Sequence, residues 1–274
     1  MNLRTLLPRT KKAVVLAIAL ALLATVDAHA AIVRTSVAPQ APTSASKLVF
    51  DDEFSTPKTH WDTCYPWWSA ASRGCTNEGN PDEQEWYTAA GVTSVGGAAL
   101  LTAHRQITTG TYRGAPKVFD YESGMIQSRR TFSFQYGYVE ARMKLAPGQG
   151  MWDALWLLPV RWDHKGEIDI FEAYGQAPNG LALTYHRPAG GRDRKELASG
   201  LPDLTAGYHT FGLDWEPTRL TWYLDGRPLY VVNQPTPAEP MYLLANLAVA
   251  GRFVTTATPA SSTAAVDYVR VWQR

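Results

Sequence analysis

Short β-type segments separated by turn residues run from Leu48 to the end of the chain, and this pattern limits the fold more than any other feature of the sequence. In residues 137–145 (GYVEARMKL), apolar and polar side chains alternate as in a half-buried strand. In residues 219–232, Asp225-Gly226 stands between two strand-like segments, which is a strong signal for a type I′ hairpin. No long amphipathic helix, internal repeat or second linker interrupts the series. The sequence therefore predicts an all-β protein.

Further strands are predicted at 48–50, 98–103, 123–134, 152–158, 167–174, 182–187, 208–215, 241–249 and 265–273. Many strands joined by short polar turns favour a sandwich or barrel in one domain, and roughly 230 residues is an ordinary size for such a fold. Two curved antiparallel sheets packed face to face leave one concave outer face. That face is a suitable groove for a linear polymer.

The first thirty residues are predicted to be a signal peptide and not part of the fold. Four basic residues precede an apolar segment, 13–24, that is too short to span a bilayer, and residues 28–30 (AHA) supply small side chains at the spacing of a cleavage site. A short membrane anchor is the alternative, but no stop-transfer pattern follows. Residues 31–47, rich in Ser, Thr, Pro and Ala, are expected to form a flexible leader or linker.

The charge balance argues against several classes of partner. The full chain has 26 basic and 25 acidic residues, and loss of the first thirty removes four basic and one acidic residue, which leaves 22 against 24. A nearly neutral exported chain with no basic patch has no electrostatic reason to bind nucleic acid. We therefore expect a secreted or periplasmic monomer that binds neither nucleic acid nor, after cleavage, a membrane.

Two cysteines, Cys64 and Cys75, flank the segment CYPWWSAASRGC. An even pair at short separation in an exported protein is typical of a disulfide, and no Cys-x-x-Cys spacing indicates a metal site. The sequence predicts a Cys64–Cys75 disulfide that would stabilise the fold by roughly 2–4 kcal/mol if it is unstrained.

Residues 166–175 (GEIDIFEAYG) place three carboxylates in a segment that otherwise predicts a buried strand. Glu167 and Asp169 share one face of a regular strand, but Glu172 has the opposite parity. A solvent-facing edge strand is the simplest explanation, although no Lys or Arg between 167 and 186 balances the acids. One β-bulge between Asp169 and Glu172 would return Glu172 to the face of Glu167.

Two glutamates brought together in this way suit glycoside hydrolysis. In retaining enzymes the two carboxyl groups lie about 5–5.5 Å apart, and one attacks the anomeric carbon directly. One carboxyl must then be ionised while the other holds a proton, and mutual repulsion separates their proton affinities. Asp169, between them, could hold the nucleophile by a shared hydrogen bond.

The acidic segment resembles the catalytic signature of glycoside hydrolase family 16, in the bulged E-x-D-x-x-E form of its laminarinase-type members. The similarity extends over most of 48–274 and is carried by residues 48–54 (LVFDDEF), 123–159, 208–230 and 266–272 (VDYVRVW). It implies that 48–274 form a catalytic domain with a β-jelly-roll sandwich fold (concanavalin A-like) and a concave substrate cleft. It also implies retaining hydrolysis of internal β-1,3 or mixed β-1,3/1,4 glucan bonds without a catalytic cofactor. Carried over by position, Glu167 is the nucleophile, Asp169 the assisting carboxylate and Glu172 the general acid/base.

Several further residues are candidates for substrate contact. The chain has ten Trp and thirteen Tyr, whose flat apolar faces and polar edges suit sugar rings as well as cores. Trp156, within an apolar run, is expected in the core. The candidates are Trp162 in a polar loop, Trp152 as a weaker platform, Arg129 for its guanidinium fork, and, by the resemblance, His186, Asn80 and Glu83. For Arg129 and His186 a structural role is the alternative.

The resemblance also implies a structural calcium ion away from the cleft. Its expected ligands are the carboxylates of Glu53 and Asp267 with the backbone oxygen of Gly97. The sequence has no Asp-rich calcium loop, so this site depends wholly on the resemblance.

Two alternatives to a β-glucanase are open at this point. Similar sequences depolymerise agar, carrageenan or succinoglycan-like exopolysaccharides, and residues 187–195 (RPAGGRDRK) form a basic segment that a charged polymer could use. A solvated loop is the simpler explanation of that segment. The other alternative is a non-catalytic glucan-binding module, but such modules typically lack the acids that this chain retains.

Overall fold

The computed structural model describes residues 46–55, 60–66, 76–78, 80–161, 166–187 and 193–274. These residues all fall in one structural unit. The predicted signal peptide, most of the predicted leader, Cys75 and Trp162 lie outside the described residues, so the predictions about them stay predictions. Within the described part of the chain, no helix has the length and apolar character needed to cross a bilayer.

Almost all regular structure in the described residues is β-strand. In chain order the strands are β1 (Lys47–Asp52), β2 (Glu85–Tyr87), β3 (Val92–Val95), β4 (Ala98–Tyr112), β5 (Ala115–Ser123), β6 (Met125–Gln127), β7 (Gly137–Lys144), β8 (Met151–Pro159), β9 (Glu167–Tyr174), β10 (Leu181–His186), β11 (Arg194–Ala198), β12 (His209–Glu216), β13 (Arg219–Leu224), β14 (Arg227–Asn233), β15 (Met241–Val249) and β16 (Ser261–Gln273). Two 3₁₀ turns, Ala89–Gly91 and Gly251–Phe253, accompany them in this part of the chain.

The strands form two sheets. The larger has ten strands in the order β14-β13-β12-β7-β16-β4-β5-β2, with β1 also paired to β16 and β3 to β4. The smaller has six in the order β11-β10-β9-β8-β15-β6. Neighbouring strands are antiparallel, except that β2 and β5 run parallel.

The hydrophobic core lies between the two sheets. Val139, Ala141 and Met143 of β7 are fully buried in it, and Ile168 and Ile170 from β9 of the smaller sheet belong to the same core. Burial of such side chains stabilises the fold by about 1.5–3 kcal/mol each. The alternation predicted for 137–145 and the all-β sandwich of two antiparallel sheets are both confirmed.

Hairpin turns show where prediction succeeded and where it fell short. Asp225 and Gly226 have φ of 50° and 74°, as a type I′ turn requires, so the predicted hairpin of β13 and β14 is confirmed. The hairpin of β4 and β5 was missed beyond residue 103, although Arg113 and Gly114 make a similar turn with φ of 50° and 79°. Residues 105–109 of β4 and 115–118 of β5 are mostly exposed, so this part of the hairpin shows no apolar alternation.

The outer face of the smaller sheet is divided in two. A second apolar cluster covers one part; it consists of Tyr65, Tyr87, Met125, Ala154, Trp156, Tyr242 and Leu244. The other part, over β8, β9 and β10, carries the acidic segment. The fold therefore presents the acids on an open face of a sheet whose opposite face is core.

Candidate active site

A β-bulge in β9 sets the direction of the acidic side chains. Asp169 pairs with Trp156 of β8, whereas the adjacent Leu155 pairs with Phe171, so Ile170 is the extra residue. Ile170 and Phe171 both point into the core. Glu172 consequently returns to the face of Glu167 and Asp169, and the predicted bulge is confirmed.

The facing sheet holds this bulge in place. The indole Nε1 of Trp222, a fully buried residue of β13, donates a hydrogen bond of 2.8 Å to the backbone carbonyl of Asp169. A bulge disrupts the ladder of backbone hydrogen bonds, and buried carbonyl groups need a donor. Trp222 supplies one from across the core, so the orientation of the acids depends on contact between the two sheets.

The three acids open into a cavity of about 400 Å³ on the outer face of the smaller sheet. This volume lies within the usual range of about 300–1,000 Å³ for ligand sites. The lining residues are Tyr65, Asn77, Asn80, Glu83, Trp152, Ala154, Trp156, Glu167, Asp169, Glu172, His186, Asn246 and Ala248. Aromatic faces next to acids, amides and one imidazole suit a hydroxylated, ring-shaped ligand.

The acids are coupled through their charges. Burial raises the pKa of Glu167 well above its usual range, the charge of Asp169 raises it further, and His186 opposes both. Burial also raises the pKa of Glu172, and the charge of Asp169 raises it further, while the charges of Lys195 and His186 lower it. The group therefore does not lose all its protons together, and one carboxyl can stay protonated while its neighbour is ionised.

His186, at the end of β10, lies directly across from Glu167 and contacts two other carboxylates. Its Nε2 is 3.1 Å from Asp169 Oδ2, and its Nδ1 is 2.8 Å from Asp193 Oδ2. Because both ring nitrogens face carboxylate oxygens, this environment favours the doubly protonated imidazolium. The hydrogen bond with Asp169 is the main reason that the pKa of His186 is raised, to about 10, against the lowering effect of burial.

A second pair of acids consists of Glu83, which lines the same cavity, and the fully buried Glu85 beside it. Both are buried, at 3% and 0% exposure. Burial raises the pKa of Glu83 well above normal, with a further contribution from the charge of Glu85, and burial also raises the pKa of Glu85. A hydrogen bond with the carboxyl group of Glu85 raises the pKa of Glu83 further, and it requires a proton on one of the two groups.

The structure brings four of the six predicted substrate-binding residues to the cavity: Trp152, His186, Asn80 and Glu83. Trp152 pairs with Tyr174 beside Glu172, and its indole N–H lowers the pKa of Glu172 without making a full hydrogen bond. Arg129 does not line the cavity, because its guanidinium donates to the carbonyl of Val160 at 2.9 Å. Trp162, the sixth, is outside the described residues.

Other residues of the site were not predicted. Trp156 was assigned to the core, and it is 93% buried, yet one face lines the cavity and its Nε1 donates to Asn246 at 2.8 Å. Asn246 lies in β15, where every residue is buried and a lone amide gives no signal. The alternation around Trp156 could have identified it, since it lies opposite Asp169 on the same face.

The predicted calcium ligands are bound by arginines. Asp267 accepts a hydrogen bond of 2.7 Å from Arg142, and Glu53 pairs with Arg270. Two carboxylates that arginines already neutralise do not fit a dication as they stand. The calcium site stays a prediction that these contacts do not support.

Ligand atoms of Glu167, Asp169 and His186 lie within 4.8 Å of one another, close enough to hold a metal ion. The ion pair of His186 with Asp169 accounts for this proximity, because the imidazolium itself balances the acidic charge. The arrangement can orient one ionised and one protonated carboxyl about a bond, which is the requirement for glycoside hydrolysis by two acids.

Known proteins resemble the chain in sequence and in structure. The sequence model of the family Glycosyl hydrolases family 16 matches residues 82–270 of this chain. An endo-1,3-1,4-β-glycanase of Rhizobium meliloti is 32% identical over 216 residues, which cover 74% of this chain and 46% of that protein. The chain spans about half the length of the curated relatives it matches at this level.

Two solved structures are similar throughout most of the fold. The laminarinase catalytic domain of Thermotoga maritima has a TM-score of 0.72 and 26% identity, and the match covers 84% of this chain and 98% of that one. The endo-β-1,3-glucanase of Pyrococcus furiosus has a TM-score of 0.71 and 30% identity, with 83% and 94% covered. These matches confirm the predicted β-jelly-roll sandwich. Because the family model covers more than half of the chain and includes the bulged strand with its three acids, the chain belongs to glycosyl hydrolases family 16.

Proposed function

We propose that the protein is a retaining endo-β-glucanase that hydrolyses internal β-1,3 or mixed β-1,3/1,4 bonds. The observation that carries the proposal is the bulge at Ile170, which turns Glu172 to the side of Glu167 in one cavity. The matched relatives are named as β-glycanases and β-1,3-glucanases, which supports a β-glucan as substrate.

In the first step of the proposed reaction, the ionised carboxylate of Glu167 attacks the anomeric carbon. The bond from that carbon to the glycosidic oxygen breaks, and Glu172 donates its proton to the departing oxygen. His186 favours this step, since its positive charge opposes the burial and the charge of Asp169 that raise the pKa of Glu167. The products are a glycosyl ester on Glu167 and a free sugar hydroxyl.

In the second step, the ionised Glu172 takes a proton from water as the water oxygen attacks the same carbon. The ester bond to Glu167 breaks and that carboxylate returns to its ionised form. Two inversions at one carbon retain its configuration, so the first product is the β-anomer. Asp169, bound by His186 at 3.1 Å, holds its place between the two glutamates throughout.

Secretion, the Cys64–Cys75 disulfide and a monomeric state belong to the same proposal. The basic and apolar N-terminal sequence supports export, and an exported location supports the disulfide. The relatives named as β-1,3-glucan hydrolases and laminarinases favour a β-glucan over agar, carrageenan or succinoglycan-like polymers, and the three acids do not favour a binding module.

The test is to incubate the purified protein with laminarin, lichenan, agarose and succinoglycan, to size the fragments and to follow the reducing ends by NMR. We expect short oligosaccharides from laminarin or lichenan, with the β-anomer before mutarotation. Early α-anomer would exclude double displacement, and fragments from agarose or succinoglycan alone would exclude a β-glucanase. The Glu167→Gln variant controls for a contaminating activity.

A further inference from the structure

Asp193 stands immediately before β11, outside the cavity, and reaches the acids only through His186. Asp193 Oδ2 lies 2.8 Å from Nδ1 of His186, and Nε2 of the same ring lies 3.1 Å from Asp169 Oδ2. The side chain of Asp193 is 52% exposed and that of Asp169 is 5% exposed. One line of contacts therefore runs from solvent to the centre of the acidic group.

From this geometry we propose that Asp193 is a positioning residue, which holds the ring of His186 charged and directed at Asp169. The proposal rests on the function proposed above, because it gives that charge a role in hydrolysis. Asp193 touches neither the cavity nor the acids of β9, so it acts on the reaction only through the imidazole.

The charges around the ring agree with this role. Glu167 and Asp169 of β9 face it from one side and Asp193 faces it from the other, and all three favour the imidazolium. Lys195 of β11 acts on Glu172. Without Asp193 the ring would keep its contacts at Nε2, with Asp169 at 3.1 Å and Glu167 at 4.0 Å, and would lose its contact at Nδ1, so its orientation would be held at one end only.

A purely local role is the competing explanation. Asp193 Oδ1 also accepts a hydrogen bond from the backbone N–H of Arg187 at 3.2 Å, which closes the base of the β10–β11 hairpin. An asparagine could still accept from that N–H, but it lacks the charge that stabilises the imidazolium. The Asp193→Asn variant therefore separates the two roles.

A matched control is available elsewhere in the fold. His209 Nδ1 lies 2.7 Å from Asp225 Oδ2, and Asp225 Oδ1 accepts from a backbone N–H in the same way as Asp193. Asp225 lies in the β13–β14 turn, and Asn tolerates its positive φ. Asp225→Asn thus removes an equivalent pair and is expected to leave activity unchanged.

The experiment follows the histidine side chains by NMR during pH titration of the purified protein, in wild type, Asp193→Asn and Asp225→Asn. In Asp193→Asn we expect the titration midpoint of His186 to fall by about one unit, the low end for loss of a neighbouring opposite charge. In Asp225→Asn the midpoint of His186 should stay that of the wild type.

The same variants are assayed on laminarin. Asp193→Asn should lower kcat several-fold with KM within twofold, because the acids are displaced and the binding walls are not, and Asp193→Glu should restore most of the loss. An unchanged His186 midpoint, or a kcat equal to that of Asp225→Asn, would overturn the proposal. If the wild type degrades none of the polymers, the proposed glucanase function is wrong. The NMR titration still tests whether Asp193 stabilises the charged ring of His186.

Discussion

Two groups of acidic side chains, Glu167 with Asp169 and Glu172, and Glu83 with Glu85, differ in whether a cation balances their charge. Asp169 receives a direct ion pair from His186, whose charge also lowers the pKa of Glu167 and Glu172. Glu83 and Glu85 have no such partner among the described contacts, since Lys117 donates to the carbonyl of Glu83 and not to either carboxyl. The first group can keep negative charge for chemistry, whereas the second keeps a proton.

The difference shows that burial alone does not make an acid reactive. Glu85 is more buried than Glu167, and both have a raised pKa, with burial as the main cause. What distinguishes Glu167 is a neighbouring cation and an opening to the cavity. Glu83 gives the cavity wall a hydrogen-bonding carboxyl group, and Glu85 lies buried beside it.

The largest expected effect is on the proposed nucleophile. Glu167→Gln should lower turnover of laminarin by more than about 10³-fold, because an amide cannot form the ester intermediate. Polymer binding should persist, since the shape of the cavity is unchanged; isothermal titration with laminarin oligosaccharides measures it. Turnover near that of the wild type would remove Glu167 from this role.

The Glu172→Ala variant lacks the proposed general acid/base, and its turnover of laminarin is expected to be lower than that of the wild type by about 10²–10⁴-fold. Added azide tests which glutamate does which. In Glu172→Ala, azide can attack the glycosyl ester and yield the β-glycosyl azide. In Glu167→Ala, azide enters from the vacated side and yields the α product. Exchanged products, identified by NMR, would exchange the two assignments.

The bulge itself can be tested from the opposite sheet. Trp222→Phe removes the hydrogen bond to the Asp169 carbonyl, so the acids should be held less firmly. The kcat on laminarin should then fall by about tenfold or more, because small displacements of reacting groups slow catalysis strongly.

Trp215→Phe is the matched control for this variant. Trp215 is also fully buried, in β12, but its Nε1 donates to Thr236 at 3.1 Å, away from the acids. Both variants should lose similar thermal stability, and equal losses of kcat would show that the hydrogen bond to the bulge is unimportant.

The smallest effect is expected at the second acidic pair. Because Glu83 and Glu85 have raised pKa values, the folded protein holds a proton that the unfolded chain releases, and its stability falls as pH rises above the ordinary carboxyl range. Glu85→Gln should raise Tm at pH 7 by roughly 2–4 °C, equivalent to about 1 kcal/mol, and change little at pH 4.

Glu140→Gln is the control for this change. Glu140 is also buried, but it accepts the hydroxyls of Tyr138 and Tyr268 at 3.1 and 2.6 Å, which an amide cannot fully replace. It should lower Tm at pH 7. A gain from Glu140→Gln, or none from Glu85→Gln, would contradict the contrast between paired and proton-sharing acids.

Regular strands were predictable because apolar and polar side chains alternate along a half-buried strand, and this period of two residues is visible in the sequence. Val139, Ala141 and Met143 identified β7, and Asp225-Gly226 identified the β13–β14 turn. Residues 105–109 and 115–118 of the β4–β5 hairpin were not predictable as strand, since mostly exposed positions place little demand on side-chain polarity. Arg129 was wrongly predicted to line the cavity because a guanidinium can reach several partners. Only the fold shows that it donates to the backbone carbonyl of Val160.

The sequence by itself determined the β-sandwich, the three acids and the need for a bulge, because alternation and parity are local properties of a strand. Only the tertiary structure decided which residue is extra, Ile170, and that Trp222 holds it from the other sheet. It also decided that His186 stands between Asp169 and Asp193. Those contacts join residues distant in the chain or separated by a loop, and no local pattern records them.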